Sequence, residues 1–503
     1  GFALAKSAVK IAEQHPHAEG LLLLQHGHFT WGANAKESYD RVIEHTNRVA
    51  QWFTDRRDGN LYPVKALKNK KTQEVIHHLK KSLFRHSTKS APSFILNWID
   101  DPSVIGKIDK HIKNEVIGRG VATPDHVIRI KAKPLILSNN IQQGGAKAIS
   151  DAVQGYITNY KKYFDKWSAT VDSTKIMLDP LPKLAWVEGL GLFGIGSSMK
   201  EAKTITDLGI QNICVADDAE SAGGFYPASE KNLFDMEYWS LEQAKLDKAS
   251  PPALQGKITV VTGAAGAIGA AIVNRFSQSG AEVVAVDIDK EALAQQNFSS
   301  TVTKKVLDLT DEDQIMALVD DLIFQFGGVD ILISNAGIAP QCSLLKMEPI
   351  MLRNSFEINF FAHFNLARAI GRLFVEQKNR GQMLFNVSKQ AVNPGRNFGA
   401  YGLPKATLMF LVKQLALELG KNGIRVNGIN ADKIRSSILD DSMIASRADA
   451  RGLSIEDYMK GNLLHKEVKA CHVAEGFYSL AMSVRTTGHI LTVDGGNIEA
   501  SLR

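Results

Sequence analysis

The spacing of apolar and polar residues changes several times along this chain, and each change marks an element. Residues 1–19 read as the end of a helix (ALAKSAVKIAEQ) running into a polar loop. Leu21 to Leu24 is a short unbroken apolar run, the mark of a buried strand. From Ala35 to about Thr54 apolar positions recur at helical spacing among charges, which predicts a long amphipathic helix. Residues 63–118 are helical and charged, with breaks at Pro92 and Pro102. TPDHVIRIKAKPLILS, beginning at Thr123, is strand-like and interrupted by Pro134. Helix signals run from Gly145 to about Trp167. Leu184 to Ser197 reads as a strand and glycine turn, Ser198 to Leu208 as the helix after it, Ile213 to Ala216 as another strand and Tyr238 to Asp247 as a helix. Ala249-Ser-Pro-Pro-Ala253 then breaks all periodicity and sets a domain boundary. Beyond Leu254 strands and helices alternate to the end, as in a doubly wound sheet.

The stretch from Lys257 to Asp287 organises this second half. Ile258 to Thr262 is a β-branched run suited to a buried parallel strand. Gly263, Gly266 and Gly269 follow at G-x-x-G-x-x-G spacing, then an amphipathic helix to about Ser279, ended by Gly280. A second apolar strand closes on Asp287. Such a β-α-β unit can bring bare backbone and a helix N-terminus against a diphosphate. A carboxylate at the second strand's end can accept from the ribose hydroxyls and repel a 2′-phosphate, which favours NAD over NADP. Gly189, Gly191 and Gly194 also fit a dinucleotide fingerprint, but no companion chemistry accompanies them, and they are expected to be structural.

Composition narrows the class only a little. The chain has 503 residues, enough for two to four domains, and a formal net charge of +6. The basic stretch 65–89 lacks interleaved aromatics and is read as a solvated helical face, so no nucleic-acid partner is expected. Cys214, Cys342 and Cys471 form no CxxC pair and point to a reducing compartment, hence a cytoplasmic protein. No apolar run reaches the roughly 18 residues that a membrane span needs, and no membrane partner is expected.

Chemistry residues then appear in order. Asp308, after VTKKVL, can bond an adenine edge. Asn335-Ala336-Gly337 ends the strand VDILIS and can border a cofactor. Asn359 is an amide inside a long helix, where it is expected to have a partner or to hold a water linking Lys405 to solvent. Ser388 ends the strand QMLFNV, and Tyr401 and Lys405 form Y-x-x-x-K on one helical face. An ammonium beside a phenol favours phenolate, so the Tyr401 pKa is expected to fall toward neutrality. Tyr401 can then move a proton at a substrate oxygen that Ser388 also holds.

On these residues the stretch 254–503 resembles the short-chain dehydrogenase/reductase family. TGAAGAIG, Asp287, Asp308, NAG, Asn359, Ser388, Tyr401 and Lys405 stand at its positions. The resemblance implies catalytic Ser388, Tyr401, Lys405 and Asn359. It also implies a cofactor held by Gly263, Gly266, Ile268, Gly269, Asp287, Asp308, Asn335, Ala336, Gly337, Tyr401 and Lys405. Two departures stand out. Ala431-Asp432 replaces the usual Pro-Gly, and Arg435-Ser436-Ser437 replaces the threonine that meets the nicotinamide amide.

In the first half, LLLLQHGHFTWGANAKESYDRV is similar to the closing part of the class II aldolase/adducin fold. The likeness implies that His26 is one of three histidines on a catalytic divalent metal, usually zinc, while His28 has no role. The other ligands lie upstream in that family, so the sequence as given holds one ligand of three and zinc is expected only in a complete domain. His15-Pro-His17 lies in a polar loop and is not expected to bind metal. Asp125, His126, Arg129 and Lys131 suit either a sugar-phosphate contact or a plain surface. ATPDHVIRIK, GLGLFGIG and LFDMEYWSLEQAKL resemble two-part rhamnulose-1-phosphate aldolase/short-chain dehydrogenases.

The expected architecture is therefore α/β throughout. Residues 1–115 form the closing part of an incomplete class II aldolase-like domain, 116–250 a linking α/β region and 251–503 a Rossmann-type dehydrogenase domain. The expected activity is NAD-dependent oxidation of a small 2-hydroxyaldehyde, lactaldehyde to lactate, in deoxysugar (rhamnose) catabolism. Its rivals are oxidation of a sugar or polyol secondary alcohol and a non-catalytic NAD-sensing module. A small-molecule substrate and a homodimer or homotetramer are expected.

Overall fold

A computed structural model describes residues 2–23, 27–56, 67–87, 93–171, 175–241, 250–436 and 439–497. Three sheets form. The largest is seven-stranded, in the order β13-β12-β11-β10-β7-β8-β9. Its strands are β7 (Ile258–Thr262), β8 (Glu282–Asp287), β9 (Thr303–Val306), β10 (Ile331–Ser334), β11 (Gln382–Asn386), β12 (Arg425–Ala431) and β13 (Ile490–Val493). Every pairing in it is parallel. β7, β10 and all but the last residues of β8 and β11 are buried, because helices cover both faces. The strand order reverses between β7 and β10, and such a reversal leaves a crevice at the carboxyl ends of the strands. The expected Rossmann-type sheet is thus observed.

The second sheet has four strands in the order β3-β6-β5-β4. β3 is Ile95–Ile99, β4 Leu135–Leu137, β5 Leu184–Val187 and β6 Gly191–Gly196. The expected boundary at 115/116 runs through this sheet, because β3 pairs with β6 along its whole length. Several sequence expectations fail here. The charged 63–118 region contains β3, flanked by helices Lys70–His86 and Pro102–Lys113. TPDHVIRI is a helix, Pro124–Ile130, because Pro124 takes its first turn after an extended Thr123. Ile213 to Ala216 lies inside the long helix Met199–Ser221, with Ile213 and Ala216 facing the core. Leu184 to Ser197 is a hairpin of two strands rather than a strand and turn. A helix spans Glu230–Glu237 and ends at Tyr238, and most of the expected 238–247 helix lies outside the described residues.

The third sheet is the small antiparallel pair β1 (Gly20–Leu23) and β2 (Gly27–Thr30). The expected buried strand is only half-covered, and Leu22 is 71% exposed. The helix Ala35–Thr54 matches expectation, and Asn34 caps it by accepting the Glu37 N–H. No side chain of that helix, or of the helix Phe2–Gln14, is buried.

The middle sheet and the parallel sheet share one core. A continuous apolar cluster joins Val75, Leu79 and Leu83, through Ile95 and Leu96, to Phe324, Leu373 and Val260. Trp98 stacks on Phe193 at 5.9 Å and tilts against Phe324 at 5.5 Å. Gly327, at φ +77°, ends the helix Glu312–Phe326 and lies on Leu96, where a Cβ would come 2.9 Å from Leu96 Cγ. Burying a side chain such as Leu96 contributes about 1.5–3 kcal/mol. Polar contacts cross the same seam. Gln73 Nε2 donates to Asp320 at 2.6 Å, and the Met199 N–H donates to Glu282 at 2.8 Å. The basic helix Lys70–His86 is therefore not simply a solvated face. Lys80 is fully buried with no hydrogen-bond partner, and burial pushes its ammonium down to about 8 against the pull of Asp330.

Candidate active site

The carboxyl ends of β7, β10 and β11 are laced together by short polar side chains. Thr262, fully buried, accepts the Asn335 and Ala336 N–H groups on Oγ1 at 2.8 and 3.1 Å. Asn335 Nδ2 donates back to the Thr262 carbonyl at 3.0 Å, and Asn335 Oδ1 accepts from Asn386 Nδ2 at 2.8 Å. The Asn386 carbonyl accepts from Lys405 Nζ at 2.9 Å. A chain of hydrogen bonds thus runs from the glycine turn to the lysine of Y-x-x-x-K.

The turn itself is tight. Gly263 sits at φ +64°, and a Cβ there would come 2.9 Å from Ala336 Cα. A Cβ on Gly269 would come 2.0 Å from the Gly263 carbonyl oxygen. Gly266 is different: its nearest neighbour would be the Gly263 oxygen at 3.5 Å, so that side of the backbone is open. The helix Ala267–Gln278 starts immediately after it, with Ile268 in its first turn. Asp287, at the end of β8, accepts the Ala265 N–H at 2.8 Å and so braces the turn from the next strand. Asp308 lies half-buried beyond β9, where one carboxylate oxygen takes the Thr310 N–H and hydroxyl at 2.8 Å.

Asn359 lies in a single π-helical turn, Glu357–Phe361, between helices Pro349–Phe356 and Ala362–Gln377. Such bulges turn a side chain out of helical register and are frequent at functional sites. Asn359 is fully buried; Nδ2 donates to the Ile338 carbonyl at 2.9 Å and to Ser355 Oγ at 3.0 Å, and Oδ1 accepts the Ile338 N–H at 3.2 Å. Its amide clamps the loop after Asn335-Ala336-Gly337. The expectation that Asn359 has a partner is met by these protein groups, while Oδ1, which accepts one N–H, keeps a second lone pair. A Cβ on Gly337 would lie 2.7 Å from Asn359 Oδ1 and 3.7 Å from Lys405 Nζ, so loop, amide and ammonium converge.

Ser388 leads the short turn Lys389–Ala391, where its Oγ accepts the Gln390 N–H at 3.2 Å. Tyr401, in the helix Gly399–Leu419, faces Ser388, whose hydroxyl favours the phenolate. The predicted Ser388, Tyr401, Lys405 and Asn359 therefore meet beside the Gly263–Gly269 turn.

The comparisons with known proteins follow this division. A family profile described as "Aldolase class II, second domain" matches residues 70–246, and one described as "Enoyl-(Acyl carrier protein) reductase" matches 263–497. The chain is similar along 99% of its length to an uncharacterized oxidoreductase, YuxG, of Bacillus subtilis (strain 168), 27% identical over 75% of that protein. Its second half, 48% of the chain, is 34% identical to (+)-borneol dehydrogenase 1 of Salvia officinalis over 94% of that protein. The same share is 33% identical to short-chain dehydrogenase reductase 3a of Arabidopsis thaliana over 95% of it. The chain belongs to the short-chain dehydrogenase/reductase family. A class II aldolase domain precedes the dehydrogenase/reductase domain.

The electrostatics of the dehydrogenase/reductase site differ from expectation. Burial pushes the Tyr401 phenol up, and the Ser388 hydroxyl offsets only part of that. Lys405 is 2% exposed, and burial lowers its ammonium to about 7. Burial thus acts on both groups against the expected drop of Tyr401 toward neutrality. Sequence reasoning also missed His363, one helical turn beyond Asn359. It is 2% exposed, shares a 2.6 Å hydrogen bond with Ser334 Oγ and is held neutral by burial and by Lys405. A histidine four residues after a buried asparagine was the available signal.

The two departures from the family pattern are also placed. Asp432 accepts from Lys389 Nζ at 3.4 Å and from Asn497 Nδ2 at 2.6 Å. Arg435 pairs with Glu467 at 2.8 Å and with Asp441, while Ser437 lies outside the described residues. Helix Asp441–Asp449 leans over the site, with Arg447 above the Phe398 ring at 4.4 Å and Phe398 edge-on to Tyr401 at 6.4 Å.

In the aldolase half His26 lies outside the described residues. His28, expected to have no role, shares a 3.0 Å hydrogen bond with His45, which pairs with Glu19 at 3.2 Å. His15 and His17 are exposed. Among the described residues no three His, Cys, Asp or Glu side chains gather as a metal site. Asp125, His126 and Arg129 lie on a helix, where His126 is buried. Lys131, also buried, donates to the Asp179 carbonyl and covers the Tyr160 ring at 3.7 Å.

Proposed function

We propose that the chain is an NAD-dependent oxidoreductase that oxidises a small 2-hydroxyaldehyde, lactaldehyde to lactate, within deoxysugar catabolism in the cytoplasm. The observation that carries the redox reading is the convergence of Ser388, Tyr401 and Lys405 beside an open glycine turn. The bare side of Gly266, the helix start behind it and the Asp287 carboxylate suit a dinucleotide diphosphate and a ribose without a 2′-phosphate. Asp308 and Asn335 to Gly337 would border the adenine and the inner ribose. A nicotinamide dinucleotide, when bound, supplies the acceptor for a hydride.

The chain's own residues supply the rest. A hydrated aldehyde is a geminal diol, and Ser388 donates to one of its oxygens. Tyr401, as phenolate, takes the proton of that hydroxyl while the carbon's hydride leaves. The C=O bond forms, and the resulting carboxylic acid releases its own proton. Lys405, hydrogen-bonded to Asn386 and 5.8 Å from the centre of the Tyr401 ring, stabilises the phenolate to the extent that it is protonated. Tyr401 is raised in the free site, so at neutral pH it stands as phenol and can donate to a carbonyl. Oxidation needs the deprotonated form and should rise with pH, whereas carbonyl reduction should fall with pH. Initial rates of aldehyde oxidation with NAD and, as a separate reaction, of aldehyde or ketone reduction with NADH across pH 6–10 test this, and opposite slopes are expected. Tyr401→Phe should lower oxidation about 10³-fold. An equally active Tyr401→Phe variant would end the proposal.

A second reading, oxidation of a sugar or polyol secondary alcohol, draws support from the dehydrogenase of (+)-borneol among its relatives. Product analysis separates the two, since acid marks the first and ketone the second. NAD and NADP are compared in the same assay. A homodimer or homotetramer is favoured by the helices Ala362–Gln377 and Gly399–Leu419. They expose Phe410 and Leu417, and Val375 with Phe364, Arg372 and Leu415 lines a groove on them. Zinc-dependent aldol cleavage is proposed only for a complete aldolase domain.

A further inference from the structure

Beside the reacting groups stands an ion pair that the proton-transfer chemistry does not use. Lys389 directly follows Ser388, and Asp432 directly follows β12. β11 and β12 run side by side with Asn386 opposite Ile429, and the Val387 N–H continues the ladder to the Ile429 carbonyl. The two side chains therefore face each other across the ends of adjacent strands, next to the serine that meets Tyr401. They are 16% and 13% exposed, shielded from bulk water yet reachable.

Three features point to a ligand group rather than a simple tie. The pair is loose, at 3.4 Å, where a committed ammonium–carboxylate bond closes to about 2.8 Å. Asp432 Oδ2 takes both of its contacts, from Lys389 and Asn497, and Oδ1 accepts no hydrogen bond from the described residues. The pair is neutral in sum, so it does not select an ion. It offers one strong donor and one strong acceptor side by side. A hydroxyl is the small group that both accepts and donates.

We propose that Lys389 and Asp432 determine specificity by reading a hydroxyl on the carbon next to the reacting one. Lys389 donates to that hydroxyl's oxygen, and the hydroxyl donates to Asp432 Oδ1. The inference rests on the redox reading above and names its substrate class: neutral compounds carrying vicinal oxygens, such as hydroxyaldehydes and polyols. A substrate lacking the second hydroxyl leaves the shielded pair with only its loose mutual contact and the Asn497 bond, and Asp432 Oδ1 without a donor among the described residues, which a site built for hydrogen bonds disfavours.

The test uses the full chain and NADH formation with two substrate pairs differing by one hydroxyl. One pair is lactaldehyde and propanal; the other is butane-2,3-diol and butan-2-ol. In whichever pair turns over, the parent should favour the hydroxylated member in kcat/KM by roughly ten- to a hundredfold. Lys389→Met and Asp432→Asn should each bring that ratio toward one, mainly through KM. If either single variant fails to fold, the double variant, which removes both charges, replaces it. A parental ratio near one, a ratio unchanged in the variants, or no turnover in either pair overturns the inference. Turnover of the butane pair alone sinks the 2-hydroxyaldehyde reading, while the ratio in that pair still decides the role of Lys389 and Asp432.

Discussion

Two glycine turns in this molecule have nearly the same spacing and opposite uses. Gly189, Gly191 and Gly194 belong to the hairpin of β5 and β6, at φ +74° and +100° for the first two. A Cβ on Gly191 would lie 2.2 Å from the Ile99 carbonyl oxygen, and one on Gly194 2.3 Å from the Ala202 carbonyl oxygen. These two glycines are squeezed between their own strand and the neighbouring backbone. In the turn after β7, Gly263 and Gly269 are squeezed as well, but Gly266 between them is not, and a helix begins behind it. Glycine spacing alone shows where backbone comes close to backbone. Gly189 is open too, so openness alone does not separate the turns; an open glycine at the start of a helix, as Gly266 is, makes a turn able to take a ligand.

Substitutions can break or sharpen this contrast. The largest effect is expected from Gly269→Ala, whose added methyl overlaps the Gly263 carbonyl. Stability should fall by about 3 kcal/mol or more, and NADH binding should be lost, as read by denaturant titration and by NADH fluorescence. Gly191→Ala should cost about 2–3 kcal/mol through overlap and a left-handed backbone, yet leave the NADH dissociation constant unchanged below the melting range. If it weakened NADH instead, the hairpin turn would have to be a ligand site too. Gly266→Ala should be the mildest for the fold, under about 1 kcal/mol, while weakening NADH roughly tenfold by crowding the diphosphate.

The second half of the fold was legible because its local signals agree. The β-branched run of β7, the glycines, the helix ending before Gly280 and the acid at Asp287 all point to one unit, and the structure places each where the pattern says. The catalytic set was legible as an ordered group, but its charge states were not. Those follow from how deeply Tyr401 and Lys405 are buried, and spacing carries no burial. The first half misled where apolar runs have two readings. Val127, Ile128 and Ile130 suit a strand by residue type, and the start signal Thr123-Pro124-Asp125 overrides them. Ile213 to Ala216 is apolar enough for a strand, but it is the core-facing side of a helix that runs through it. β3 was hidden because its burial comes from β6 and from the helix Glu312–Phe326, far away in sequence.

The packing of Gly327 on Leu96 and of Trp98 between Phe193 and Phe324 makes the chain something other than two beads on a string. Heat should melt the aldolase second domain and the oxidoreductase together, in one calorimetric peak. A recombinant oxidoreductase trimmed at Pro251 would bare a greasy ledge and clump. Transplanting this catalyst into another scaffold therefore means carrying the neighbouring edge strand along with it.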